Sequence, residues 1–149
     1  MRCLTLSVVL SLVSLPALSQ DTRFDECFAG AATRYSINKS LLVAIAKTES
    51  NLNPLAVGAA NKDGSYDVGL MQINSSWIPT LRKYGISNND LLSGCTSIYV
   101  GAWIMANNIS RHGATWRAVG AYNASTNSKR ELYVSKVKKN LNALALASN

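Results

Sequence analysis

Ile37-Asn38-Lys39-Ser40-Leu41-Leu42-Val43-Ala44-Ile45-Ala46-Lys47-Thr48-Glu49-Ser50 is the stretch whose reading decides the fold. Leu42, Ile45 and Glu49 recur at spacings of three and four, the repeat that stacks side chains along one face of a helix. Asn38 supplies an N-cap oxygen, and Ile37 and Leu42 stand at the two positions of a hydrophobic staple. These features predict a helix over 39–51, stopped by Pro54 because the residue before a proline avoids helical backbone. A single acid therefore shares a stripe with apolar neighbours. Burial disfavours the charged carboxylate and raises its pKa, which suits a general acid working near neutral pH. Taken alone the signal is weak, since a Glu near a helix end is more often a solvated or capping group.

Outward from this helix the chain continues to read as helical. A helix is expected over about 23–35, ending near Tyr35-Ser36. Residues 56–68 are rich in turn formers and read as a loop or short hairpin, with 69–77 turning back toward helix. Ile98, Ala102, Met105 and Ile109 predict a helix over 96–111, with Gly113 as its C-cap. A short helix over 115–123 leads to the polar turn 124–128. Ser128 and Glu131 form a capping-box pattern that opens a last helix over 129–146, with Leu132, Val137, Leu141 and Leu144 on its apolar side. The expected fold is one mainly α domain with a small loop or β-hairpin element, and there is no internal repeat.

At the N-terminus, Met1-Arg2 precedes an apolar run over 4–15 and the small-residue ending Ala17-Leu18-Ser19, the layout of a signal peptide over 1–19. The alternative is a short membrane anchor, although the run falls short of the roughly 20 residues that span a bilayer. The expected mature protein is 20–149, 130 residues, the size of one domain. No later stretch is apolar enough for stable membrane insertion. Cys3 leaves with the signal, and Cys27 and Cys95 remain as an even pair in an oxidising space, which predicts a disulfide, with two buried thiols as the alternative. Two cysteines 68 positions apart and a single histidine, His112, offer no metal-ligand spacing. The mature chain carries 14 basic against 8 acidic residues, a charge of +6 that favours an anionic partner. Nucleic acid is disfavoured by export and by the scatter of the basic residues, of which only Lys136, Lys138 and Lys139 cluster.

Two further segments change the weight of Glu49. Gly69-Leu70-Met71-Gln72-Ile73-Asn74 places the amides Gln72 and Asn74 inside an apolar run, and Ala121-Tyr122-Asn123 follows later. Such amides suit the hydroxyl and N-acetyl groups of a sugar, or else tie a loop to backbone. Glu49-Ser50, Gly69-Leu70-Met71-Gln72 and Ala121-Tyr122-Asn123, in this order and spacing, resemble the three signature motifs of the lytic transglycosylases with a lysozyme-like domain. The likeness runs over about 24–124 and includes both remaining cysteines and Gly101-Ala102-Trp103-Ile104. It points to the small exported enzymes that accompany type III and type IV secretion systems, conjugation machines and type IV pili.

The resemblance implies a lysozyme-like α+β fold and cleavage of the β-1,4 bond between N-acetylmuramic acid and N-acetylglucosamine in peptidoglycan. Glu49 is implied to protonate the glycosidic oxygen and then act as base on the muramyl 6-hydroxyl, giving a 1,6-anhydro sugar without water, second nucleophile or cofactor. Tyr122 is implied to orient Glu49 by hydrogen bonding, and Ser50, Met71, Gln72, Asn74 and Asn123 to serve the glycan cleft. The periplasm of a Gram-negative bacterium, and secretion-system or pilus components as partners, follow from the same likeness.

The loop 61–75 also resembles the one that carries the second catalytic carboxylate of animal c-type lysozymes, with Asp67 at that position. Asp67 is thus a candidate second carboxylate for a hydrolysing muramidase or a charge stabiliser in either enzyme, and otherwise an Asx turn or loop cap. Asp63, beside Gly64, reads as a turn residue. Trp77, Trp103 and Trp116 are candidates for stacking on sugars but read mainly as core, Trp77 least so, and His112 reads as a capping or surface residue. The basic last helix is a solvated face or a contact for anionic glycan or a partner. A catalytically idle peptidoglycan-binding protein is the remaining alternative.

Overall fold

A computed structural model describes residues 23–147; the expected signal peptide lies outside the described residues. The helices are α1 Asp25–Tyr35, α2 Lys39–Ser50, α3 Ile78–Leu81, α4 Gly94–His112, α5 Trp116–Asn123 and α6 Asn127–Ala147, with β1 Asp67–Val68 and β2 Ile73–Asn74 between α2 and α3. This is the mainly α fold with a small hairpin that the sequence predicts. α4 lies between α1 and α5, while α6 closes over α2 and α5. Ile98, Ala102 and Met105 of α4 are fully buried, as are Phe28 of α1 and Leu42 and Ile45 of α2. Cys27 and Cys95 form the expected disulfide, tying α1 to the first turn of α4 with a Cα separation of 5.3 Å. Closing a loop of that length stabilises the fold by about 4 kcal/mol in the chain-entropy model.

The start of α2 follows the reading closely, since Asn38 Oδ1 accepts from Leu41 N at 3.1 Å. Its end does not depend on Pro54. Asn51 and Leu52 take left-handed backbone, φ 52° and 63°, so α2 stops at Ser50. A leucine in that conformation is strained, and Leu52 is held there by burial in the core.

Residues 69–77 differ from expectation. The chain does not turn into helix at 69; it folds back through a tight loop onto an antiparallel ladder in which Asp67 faces Asn74 and Val68 faces Ile73. Only 75–77 turn helically, as a single 3-10 turn. Left-handed backbone at both ends of the loop, Gly69 at φ 79° and Gln72 at φ 48°, produces the reversal. Gly69 has a second reason to be glycine, since a Cβ there would collide with the carbonyl oxygen of Leu91. Leu70, Met71 and Ile73 are fully buried, so the apolar run is a core loop rather than a helix face.

α6 also departs from the reading. It begins at Asn127, which puts Ser128 inside the first turn instead of at the cap. Its inward stripe is Tyr133 and Val137, with Leu141 and Leu144 packed alongside, whereas Leu132 is 66% exposed. Phase explains the difference, because 133, 137, 141 and 144 repeat at four, four and three, while 132 stands one position out of step. Among the described residues, no helix is long and apolar enough to cross a membrane.

Candidate active site

The end of α2, the hairpin, the end of α5 and the start of α6 surround a cleft of about 400 Å³. Glu49 enters it from the last turn of α2. Asp67, Gln72 and Asn74 come from the hairpin, and Tyr122 and Asn123 from α5. Trp77, a candidate for sugar stacking, completes the lining together with Asn61 and Lys129, which the sequence does not single out. Motifs as far as 74 positions apart in the chain are thus brought to one opening.

Glu49 is held by a residue that the motifs do not contain. The Tyr133 hydroxyl donates to Glu49 Oε1 at 2.5 Å. Burial raises the Glu49 pKa from 4.5 to about 7; the Tyr133 hydrogen bond opposes this, the negative charge of Asp67 adds to it, and Lys136 opposes it. Burial, chiefly, together with the charge of Glu49, also pushes the Tyr133 and Tyr122 hydroxyls well above their usual range, so both remain protonated donors. A carboxyl that titrates near 7 is present in both forms at neutral pH, as a group that first gives and then takes a proton must be.

The hydrogen bond expected from Tyr122 to Glu49 is replaced by this contact. Tyr122 instead donates to the Met71 carbonyl at 3.0 Å, tying α5 to the hairpin loop. The sequence pattern places Val137, Leu141 and Leu144 correctly but takes Leu132 as the first member of the stripe, and so passes over Tyr133. The available signal was an aromatic four residues before Val137 on the face that meets α2. Asn140 lies on the same side of α6 and donates to Thr48 Oγ1 of α2 at 2.9 Å, fixing the two helices beside the acid.

Across the cleft, Asp67 sits in a hydrogen-bonded web. Asn74 Nδ2 donates to Asp67 Oδ1 at 2.9 Å and to Ser65 Oγ at 3.1 Å, and Asn74 Oδ1 accepts from Ser76 N at 3.0 Å. Gln72 Nε2 donates to the carbonyls of Gly69 and Ala56 at 2.9 and 3.1 Å. Both amides therefore tie the loop together while lining the opening. Asp63 is a turn residue, its carboxylate accepting from Ser65 N and Oγ.

Two of the residues expected to serve the cleft stand behind it. Ser50 Oγ donates to Leu70 O at 2.7 Å and accepts from Asn53 N, bracing the loop from the far side. The Met71 side chain is fully buried and packs over Gly101, where a Cβ would displace it. Their motif positions reflect the building of the loop. Trp77 meets Trp103 edge to face, with centroids 5.3 Å apart. Trp116 is not core: it is 42% exposed, with Lys138 Nζ 4.7 Å from its ring centre.

A largely shielded acid at a helix end, facing a short acidic hairpin across a polar cleft, defines the lysozyme-like class of glycan-cleaving domains. Residues 26–144 match the family described as Transglycosylase SLT domain, and the chain belongs to that family. The match extends past the expected limit of 124 and takes in α6 with Tyr133. The chain is 46% identical over 114 residues to the invasion protein IagB of Salmonella typhi, covering 76% of this chain and 71% of that protein. It is 42% identical over 107 residues to protein IpgF of Shigella flexneri, 71% and 70% of the two chains. To a peptidoglycan-binding-like protein of Escherichia coli O157:H7 it is 37% identical over 142 residues, 89% and 81% of the two chains.

Proposed function

We propose that this protein is a peptidoglycan lytic transglycosylase that cleaves the β-1,4 bond between N-acetylmuramic acid and N-acetylglucosamine and leaves a 1,6-anhydro-muramyl end. The observation that carries the reading is Glu49, placed in the cleft with its pKa raised to about 7 and one carboxyl oxygen held by Tyr133. In its protonated form Glu49 gives its proton to the glycosidic oxygen as the C1–O bond breaks. Positive charge then builds on the muramyl ring, and Asp67 faces it from the hairpin wall. Glu49, now a carboxylate, takes the proton of the 6-hydroxyl, and that oxygen closes onto C1. Atoms balance without water, and the acid returns to its starting form.

Tyr133 and Tyr122 act as positioning residues, one on the carboxyl and the other on the loop that carries Gln72. Gln72, Asn74 and Asn123 offer amides to the sugar's polar groups. Export by a signal peptide over 1–19 into the periplasm of a Gram-negative cell, with 20–149 as the mature enzyme, fits a cell-wall substrate. Local opening of the wall for a secretion, conjugation or pilus apparatus is the role this reading assigns. A relative named an invasion protein and another named peptidoglycan-binding-like support it.

The place of Asp67 in the same cleft favours a second reading, hydrolysis of the same bond by a two-carboxylate muramidase. Mass spectrometry of muropeptides released from purified peptidoglycan separates the two. Anhydro ends from the wild type and none from Glu49→Gln are expected. Reducing muramyl ends would replace the proposal with hydrolysis, and equal release by Glu49→Gln would remove Glu49 from the chemistry.

A further inference from the structure

Larger than the cleft is a groove of about 650 Å³ on the neighbouring face of α4. Tyr35 and Arg34 from the end of α1, Tyr84 from the turn after α3, and Tyr99 and Trp103 from α4 form its walls. Tyr84 is 71% exposed. Groove and cleft share a partition: Trp103 lines the groove, Trp77 lines the cleft, and their rings meet edge to face at 5.3 Å. Consecutive residues of α4, Trp103 and Ile104, face the two spaces.

We propose that this groove is a second docking surface for the glycan strand, holding N-acetylated sugar rings beyond the point of cleavage. The inference rests on the glycan-cleaving reading of the cleft. A cleft of about 400 Å³ is at the small end of sites that enclose a drug-sized molecule, so a polymer that enters it must continue over adjoining surface. The surface across the Trp77–Trp103 partition carries four aromatic rings, Tyr35, Tyr84, Tyr99 and Trp103, beside the aliphatic Leu81, Ile86 and Val100. Pyranose rings present flat C–H faces, which tyrosine and tryptophan take up over a large rigid area while their polar tips reach sugar hydroxyls. Arg34, at the rim beside the Tyr35 ring, adds donors for sugar oxygens. Adjacency to the cleft across the Trp77–Trp103 pair favours more of the same strand as the occupant over a separate protein.

The test uses the mature chain carrying Glu49→Gln, so that strands stay uncut, and compares binding of long stem-free glycan strands with that of a tetrasaccharide. Adding Tyr84→Ala is expected to weaken long-strand binding about tenfold and leave tetrasaccharide binding unchanged. Tyr84→Phe, which keeps the ring, is expected to bind long strands within about twofold of the parent. Long-strand binding unaffected by Tyr84→Ala, or an equal loss on both ligands, overturns the groove while leaving the cleft reading intact. If the parent binds neither ligand, the reading of the cleft fails and the groove proposal with it.

Discussion

The two walls of the cleft present the same chemical group in opposite settings. On the helical wall, Glu49 ends a helix whose inward residues are apolar, and burial dominates its titration. On the hairpin wall, Asp67 accepts from Asn74 within a web of amides and hydroxyls. Desolvation stabilises the neutral acid at Glu49, whereas on the other side the Asn74 amide fixes the orientation of Asp67. A buried acid facing a second, hydrogen-bonded carboxyl is the arrangement in which glycan-cleaving enzymes divide acid and charge-stabilising roles.

Removing the acid tests the comparison most severely. Glu49→Gln is expected to lower muropeptide release by at least about a thousandfold, since general acid–base catalysis of this kind contributes roughly 10²–10⁴ and here serves two steps. The same substitution should stabilise the fold above pH 7. Glu49 binds its proton more tightly when folded, about 7 against 4.5, so stability is lost as pH rises between those values and the loss is complete above 7. The full shift corresponds to about 3 kcal/mol, an upper value that solvent at the cleft mouth reduces. Glu49→Gln should therefore melt higher than the wild type at pH 8 and match it at pH 4, as thermal unfolding at both pH values would reveal. Equal melting at pH 8 would mean that Glu49 is not desolvated.

Tyr133→Phe sharpens the comparison from the helical side. It removes the contact that holds the Glu49 pKa down, leaving burial and Asp67 less opposed. The alkaline limb of the pH–rate profile should move upward, while the maximal rate falls about tenfold through loss of a charge-assisted hydrogen bond. Asp67→Asn should move the limb the other way, because it deletes a negative charge that raises the Glu49 pKa. A rate loss of about tenfold to a hundredfold is expected if Asp67 faces the developing cation. Shifts of the same sign in the two variants would break the account of opposed walls.

The helical wall was partly legible in the sequence and the hairpin wall more by resemblance than by pattern. Capping by Asn38 and the 42, 45, 49 stripe follow from local rules, so α2 and its acid could be placed before any tertiary contact was known. The loop at 69–72 could not, because an apolar run does not distinguish a buried helix from a buried reversal, and left-handed backbone at Gln72 has no strong local signature. Ser50 and Met71 stand in the motifs, yet they build the loop from behind, and sequence alone does not tell bracing from lining. Trp116 was misplaced because tryptophan in a helix reads as core, whereas Lys138 covers its exposed ring.

The smallest expected effect addresses the first turn of the α6 stripe, where Tyr133 and not Leu132 faces inward. Leu132 points to solvent and Tyr133 to Glu49, so the two neighbours should respond in opposite ways. Leu132→Ser is expected to change unfolding free energy by no more than about 0.5 kcal/mol and to leave the pH–rate profile in place, as surface substitutions usually do. Chemical denaturation alongside the activity assay would measure both. A loss of 2 kcal/mol or more, of the order expected for emptying a core position, would return Leu132 to the interior and turn Tyr133 away from the acid. The Glu49 hydrogen bond and the predicted upward shift in Tyr133→Phe would then fall together, because one helical phase sets both.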